Sequence, residues 1–135
     1  MAYISENLRQ AIYERAHGRC EYCLYHEQFA MKPHEIDHIY AEKHGGETDE
    51  INLCLSCVDC NRYKGSNLCS LDIITGEIVP LFHPRKMKWD EHFRVIRGFI
   101  EPLTPQGRVT VQTLRLNDAE RVAERLRLWK LKKYP

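Results

Sequence analysis

The chain has 135 residues, 43% of them hydrophobic and 29% charged, which suits one domain with a modest core that a structural metal would help to hold. It has no apolar run of transmembrane length, and Glu6 and Arg9 stand where a signal peptide would carry its apolar stretch, so a soluble, cytoplasmic protein is expected. The formal net charge of +1 hides an asymmetry: residues 1–82 carry 7 Lys and Arg against 13 Asp and Glu, net −6, and residues 83–135 carry 13 against 6, net +7. A basic half points to a polyanionic partner; the plainer account is a set of solvated helix faces.

In chain order, residues 5–17 read as a helix with Ser5 as N-cap, Leu8, Ile12 and Ala16 on one face, and Gly18 as the stop. Cys20-Glu-Tyr-Cys23 follows as a tight knuckle, and Cys57-Val-Asp-Cys60 is a second one. Zinc binds four thiolates tetrahedrally, and two i,i+3 pairs on turns present them easily. A redox Cys-x2-Cys would need a βαβ setting, which the pattern lacks. Cys54, Cys57 and Cys60 are equally spaced, so Cys54-x2-Cys57 is an alternative second knuckle. Cys57 and Cys60 are preferred because Cys54 falls inside the apolar run Leu53–Leu55, where a thiol behaves as a small hydrophobe. Cys69 is expected to be unliganded, and His26 is a remote substitute ligand.

Residues 24–34 read as a loop. Glu35–Ile39 and Ile51–Leu55 then alternate as short strands around a polar loop with His44-Gly45-Gly46, and a helix-compatible stretch follows that Asn61 is expected to open. Alternation puts Ile36 and His38 on one face and Asp37 and Ile39 on the other. A hard divalent cation prefers oxygen ligands and takes only one or two from protein; Asp37 and Asn61 could supply them if the strand bends near Asp37, leaving His38 as a base. Arg62 and Lys64, read near the start of that helix, are candidate phosphate contacts.

Beyond Gly65, Ile73-Ile74-Thr-Gly76-Glu-Ile78-Val79 reads as a hairpin and Pro80–Pro84 as extended. Arg85, Lys86 and Lys88 form a basic run before Trp89, itself read as core. Phe93–Ile100 reads as one strand. Thr104-Pro105 starts a helix, and Asn117-Asp118 starts the last one, with Val122, Leu126 and Trp129 on one face and Arg121, Arg125 and Lys132 on another.

The pattern Asp37-His38-Ile39, Asn52-Leu53, Cys57-x2-Cys60-Asn61-x2-Lys64-Gly65 resembles the HNH endonuclease family in the variant with Asn at the third signature position. The likeness covers residues 20–65, and the later segments look like the tail of small stand-alone bacterial members. It implies an α+β fold with a ββα-metal (His-Me finger) nuclease core, structural zinc on Cys20, Cys23, Cys57 and Cys60, flanking helices and a small accessory hairpin. The expected organisation is a single HNH nuclease domain over residues 1–135, core 20–70 and basic tail 71–135. The resemblance further implies a metal-dependent endonuclease in which His38 is the general base, Asp37 and Asn61 hold Mg²⁺ or Mn²⁺, and Asn52 helps hold the histidine. Cleavage would leave 5′-phosphate and 3′-hydroxyl ends. Double-stranded DNA is the expected partner, bound through Arg62, Lys64, Arg85, Lys86 and Lys88; no membrane is implied, and the oligomeric state is left open. The rival readings are a non-catalytic zinc-ribbon module that binds nucleic acid, which leaves Asp37-His38, Asn52 and Asn61 unexplained, and a zinc-stabilised protein-interaction domain.

Overall fold

The computed structural model describes residues 2–135, which fall into two units divided between residues 66 and 67. The first unit opens with α1, Glu6–Arg15. Its N-terminus is closed by Ser5, whose hydroxyl accepts from Leu8 N at 3.2 Å, with Glu6 in the first turn and Arg15 in the last, where their charges suit the helix dipole. The apolar face of α1 buries Ile12 against Leu53 and Leu55, with Leu8, Tyr13, Ala16 and Ile36 closing the cluster. Arg15 ties the helix end to the second strand by donating to Glu50 O at 2.9 Å and Leu53 O at 2.6 Å.

β1, Glu35–His38, and β2, Leu53–Ser56, pair antiparallel in the register Glu35↔Ser56, Ile36↔Leu55, Asp37↔Cys54 and His38↔Leu53. All of β2 is buried. α2, Val58–Lys64, follows directly. It begins at Cys57, so Asn61 lies within it, and Arg62 and Lys64 stand in its last turn rather than at its start. The 24–34 segment holds a 3₁₀ turn at Glu27–Phe29.

In the second unit β3, Cys69–Leu71, pairs with β4, Ile78–Pro80. The expected strand residues Ile73 and Ile74 instead occupy an exposed turn, because Asp72 organises that turn by accepting from Ile74 N and from Thr75 Oγ1. α3 is the single turn Trp89–His92. The run read as one strand is a hairpin, β5 Phe93–Ile96 and β6 Phe99–Pro102, closed by Arg97 and Gly98 at φ 49° and 87°. Positive φ at both central residues is the tight hairpin turn that matches strand twist. A Cβ at position 98 would lie 2.5 Å from Leu126 N, so only glycine fits. α4, Pro105–Thr113, is capped by Thr104, whose hydroxyl accepts from Gly107 N at 3.1 Å. α5, Ala119–Lys130, buries Leu128 and, against expectation, Arg125, while Trp129 is 40% exposed. Arg125 is buried because its guanidinium satisfies the carbonyls of Gly98 at 2.7 Å and Leu116 at 2.6 Å. Phe82 and Phe93 meet edge to face at 5.3 Å in the core of this unit, beside half-buried Trp89.

Candidate active site and metal centre

The two knuckles converge. The sulfurs of Cys20, Cys23, Cys57 and Cys60 lie within 4.8 Å of one another, all buried, with Cys23 Sγ 3.7 Å from Cys57 Sγ. Four sulfurs around zinc at ~2.3 Å stand about 3.8 Å apart, so the donor set suits a tetrahedral zinc. Backbone amides support the sulfurs: Cys23 N donates to Cys20 Sγ at 3.5 Å and Cys60 N to Cys57 Sγ at 3.4 Å. As thiols the cluster is crowded. Mutual hydrogen bonds with Cys20 and Cys23 raise the Cys57 thiol, and burial raises that of Cys60; a divalent cation relieves this by accepting them as thiolates. Cys54 is buried in β2 outside the cluster, which removes the alternative knuckle, and Cys69 is exposed in β3.

Asp37 and His38 diverge across β1, as strand alternation requires. Asp37 sits within the regular strand opposite Cys54 rather than at a bend after it, and is only 6% exposed. Its Oδ2 accepts from Tyr22 O–H at 2.9 Å, pairs with Lys64 Nζ at 3.0 Å and lies 3.8 Å from Cys54 Sγ. No described residue donates to Oδ1. Burial raises the Asp37 carboxyl above the usual carboxylate range, against the lowering pull of the Lys64 ammonium and of the Lys64 and Tyr22 hydrogen bonds.

His38 closes β1 with its side chain 13% exposed. Nε2 lies 2.8 Å from Thr48 Oγ1 and 3.9 Å from Glu42 Oε1. With the proton on Nε2 and Thr48 accepting it, Nδ1 carries the free lone pair. Asn52 lies in a 3₁₀ turn just before β2, and its side-chain hydrogen bonds go to Tyr40 and Glu47. Its Oδ1 accepts from Tyr40 N at 2.9 Å, and its Nδ2 donates to Tyr40 O at 3.0 Å and Glu47 O at 2.8 Å. It thereby staples the loop that follows His38 and carries Glu42 and Thr48. The staple is tight, since a Cβ on Gly46 would stand 1.7 Å from Tyr40 O.

Asn61 is half-buried on α2, its Nδ2 donating to Glu35 Oε1 at 3.2 Å, while its Oδ1 accepts from no described residue. β1 and α2 therefore each offer one oxygen without a protein partner. Arg62 is exposed beside Tyr63, with its guanidinium 5.4 Å from the ring centroid. Lys64, expected on the surface against phosphate, is 2% exposed and committed to Asp37 and to His38 O, 3.1 Å away. The two partners satisfy its charge away from water, whereas Arg62 in the same last turn stays exposed. In the second unit Lys86 and Lys88 are exposed and Arg85 is half-buried. His44 Nε2 lies 3.1 Å from Ser66 O. Sequence reasoning missed Tyr22, Thr48 and Glu42, none of which carries a signal beyond an ordinary polar or aromatic side chain.

A four-cysteine cluster that could hold zinc, joined to a strand–strand–helix unit with Asp-His on the first strand and Asn on the helix, defines a ββα hairpin. A model of the HNH endonuclease family matches residues 20–67. The family points to a nuclease acting on nucleic acid. No curated protein and no solved structure matches the chain. Among the described residues no helix is long and apolar enough to cross a membrane.

Proposed function

We propose that the chain is a divalent-cation-dependent endonuclease that hydrolyses phosphodiester bonds of double-stranded DNA, leaving 5′-phosphate and 3′-hydroxyl ends. The observation that carries this reading is the placement of His38, with Nε2 engaged by Thr48 at the end of β1, together with uncommitted oxygens on Asp37 and Asn61. His38 Nδ1 takes the proton from a water aimed at phosphorus. Asp37 Oδ1 and Asn61 Oδ1 would hold one Mg²⁺ or Mn²⁺, which when bound supplies a Lewis acid for the phosphate and the leaving 3′ oxygen. Asn52 fixes the loop that carries Thr48, and through it the histidine ring. Arg62 and the basic run Arg85, Lys86 and Lys88 bind backbone phosphate.

The test is nicking of supercoiled plasmid by wild type and His38→Ala in parallel. General-base catalysis contributes ~10²- to 10⁴-fold, so the variant should lose at least that much while zinc content, circular dichroism and DNA affinity stay unchanged. A folded His38→Ala that cuts at the wild-type rate would reject the assigned base. A wild type that binds DNA with salt dependence yet never cuts, whatever the metal, would favour a non-catalytic zinc-ribbon module.

A further inference from the structure

Lys64 is buried, and its ammonium joins two groups of β1: Oδ2 of Asp37 at 3.0 Å and the carbonyl of His38 at 3.1 Å. Tyr22 approaches the same Oδ2 from the first cysteine knuckle at 2.9 Å. A carboxylate whose one oxygen is engaged by a charged donor on α2 and a neutral donor on the knuckle cannot rotate about its last torsion without breaking both bonds. The other oxygen is thereby aimed. We propose that Lys64 and Tyr22 are positioning residues that hold Asp37 so that it offers a cation one oxygen, Oδ1, and that the Lys64 charge weakens cation binding in return for that geometry. This rests on Asp37 as a cation ligand in the function proposed above.

The two roles of Lys64 have opposite signs, which makes the inference testable. Its positive charge repels a dication at Asp37, and removing it leaves Oδ2 held by the neutral Tyr22 hydroxyl alone, so the carboxylate attracts a dication more strongly. It also anchors the strand carbonyl of the base, so removing it misplaces the reacting groups. A merely structural lysine has neither signature: its loss would lower stability, metal binding and cleavage together.

The experiment uses the zinc-loaded full chain and titrates Mn²⁺ by the loss of its free-ion electron paramagnetic resonance signal, with Asp37→Ala defining the background. Lys64→Met should bind Mn²⁺ on the order of tenfold more tightly and, at saturating Mn²⁺, cut plasmid about 10²-fold more slowly. Removing one partner of a buried ion pair can prevent folding, so Tyr22→Phe is measured beside it. That variant should keep its zinc and melting temperature, bind Mn²⁺ more tightly by a few-fold and lose about tenfold in saturated cleavage, from one charge-assisted hydrogen bond. Wild-type behaviour of a folded Tyr22→Phe, or weaker Mn²⁺ binding in either folded variant, overturns the inference. Wild type matching Asp37→Ala in Mn²⁺ binding overturns both the inference and the cation site. A wild type that binds Mn²⁺ but never cuts, with Lys64→Met binding it more tightly, leaves the positioning role standing and removes only the nuclease reading.

Discussion

Replacing Asn52 by Ala removes three hydrogen bonds, to Tyr40 N, Tyr40 O and Glu47 O, at a side chain only 7% exposed. A net ~1 kcal/mol per bond gives about 3 kcal/mol, a large part of the roughly 5–15 kcal/mol by which domains of this size are stable. The damage is directed. The freed loop carries Thr48, which holds His38 Nε2 at 2.8 Å, and a base misplaced by ~1 Å costs on the order of 10²-fold. Urea unfolding followed by circular dichroism should show the lower midpoint, and plasmid nicking the reduced rate, with zinc content unchanged. Asn52→Asp should do nearly as much harm, because it keeps an acceptor for Tyr40 N but replaces the amide nitrogen that makes both donations with one carboxylate oxygen facing two carbonyls. If Asn52→Ala unfolds at the wild-type urea concentration and cuts at the wild-type rate, the staple does not act as described.

Cys20→Ser or Cys60→Ser should each abolish stoichiometric zinc by metal analysis and lose much of the helical signal, because metal binding energy is folding energy in such sites. Neutralising Arg85, Lys86 and Lys88 together should weaken DNA binding irrespective of sequence and flatten its salt slope by about one unit for each phosphate left without its cation, read from binding isotherms at several salt concentrations. In the second unit the Arg108 hydrogen bonds, at 2.8 and 3.0 Å, hold the Asp72 carboxyl well below the usual range. Its stabilisation is therefore present above the unfolded value of about 3.9 and is lost as pH falls through the folded one. Acid unfolding of wild type below about pH 4 should steepen relative to Asp72→Asn, whose stability lacks that dependence.

What was legible in the sequence is what short-range chemistry decides. The cysteine pairs sit at i,i+3 and close on themselves; Ser5 and Thr104 cap helices through a bond three residues away; the Asp37-His38 divergence follows from strand alternation alone. The start of α2 was missed because its cap is Cys57, a residue type outside the usual Ser, Thr, Asp and Asn set, and this displaced Asn61, Arg62 and Lys64 along the helix. The burial of Lys64 and Arg125 was missed because a charged side chain reads as surface until its distant partners are known, here Asp37 across 27 positions and Gly98 across 27. Phe93–Ile100 read as a single strand because Arg-Gly is a weaker turn signal than Asn-Gly, although the two residues adopt the same left-handed pair.

Cys57 performs two tasks with one sulfur. It belongs to the thiolate cluster, and it accepts from Cys60 N as the N-cap of the helix that carries Asn61 and Lys64. The cysteine cluster and the proposed cation ligand Asn61 are therefore joined through the seven residues of α2, and any coupling between zinc and a cation bound there would be reciprocal: by whatever factor one changes the affinity for the other, the other changes it in return. An oxidant that attacks the Cys57 thiolate would act at both sites in one event, ejecting a ligand and uncapping the helix. In the proposed nuclease such an oxidation would reach Asn61 and Lys64 through the helix they share, without modifying either.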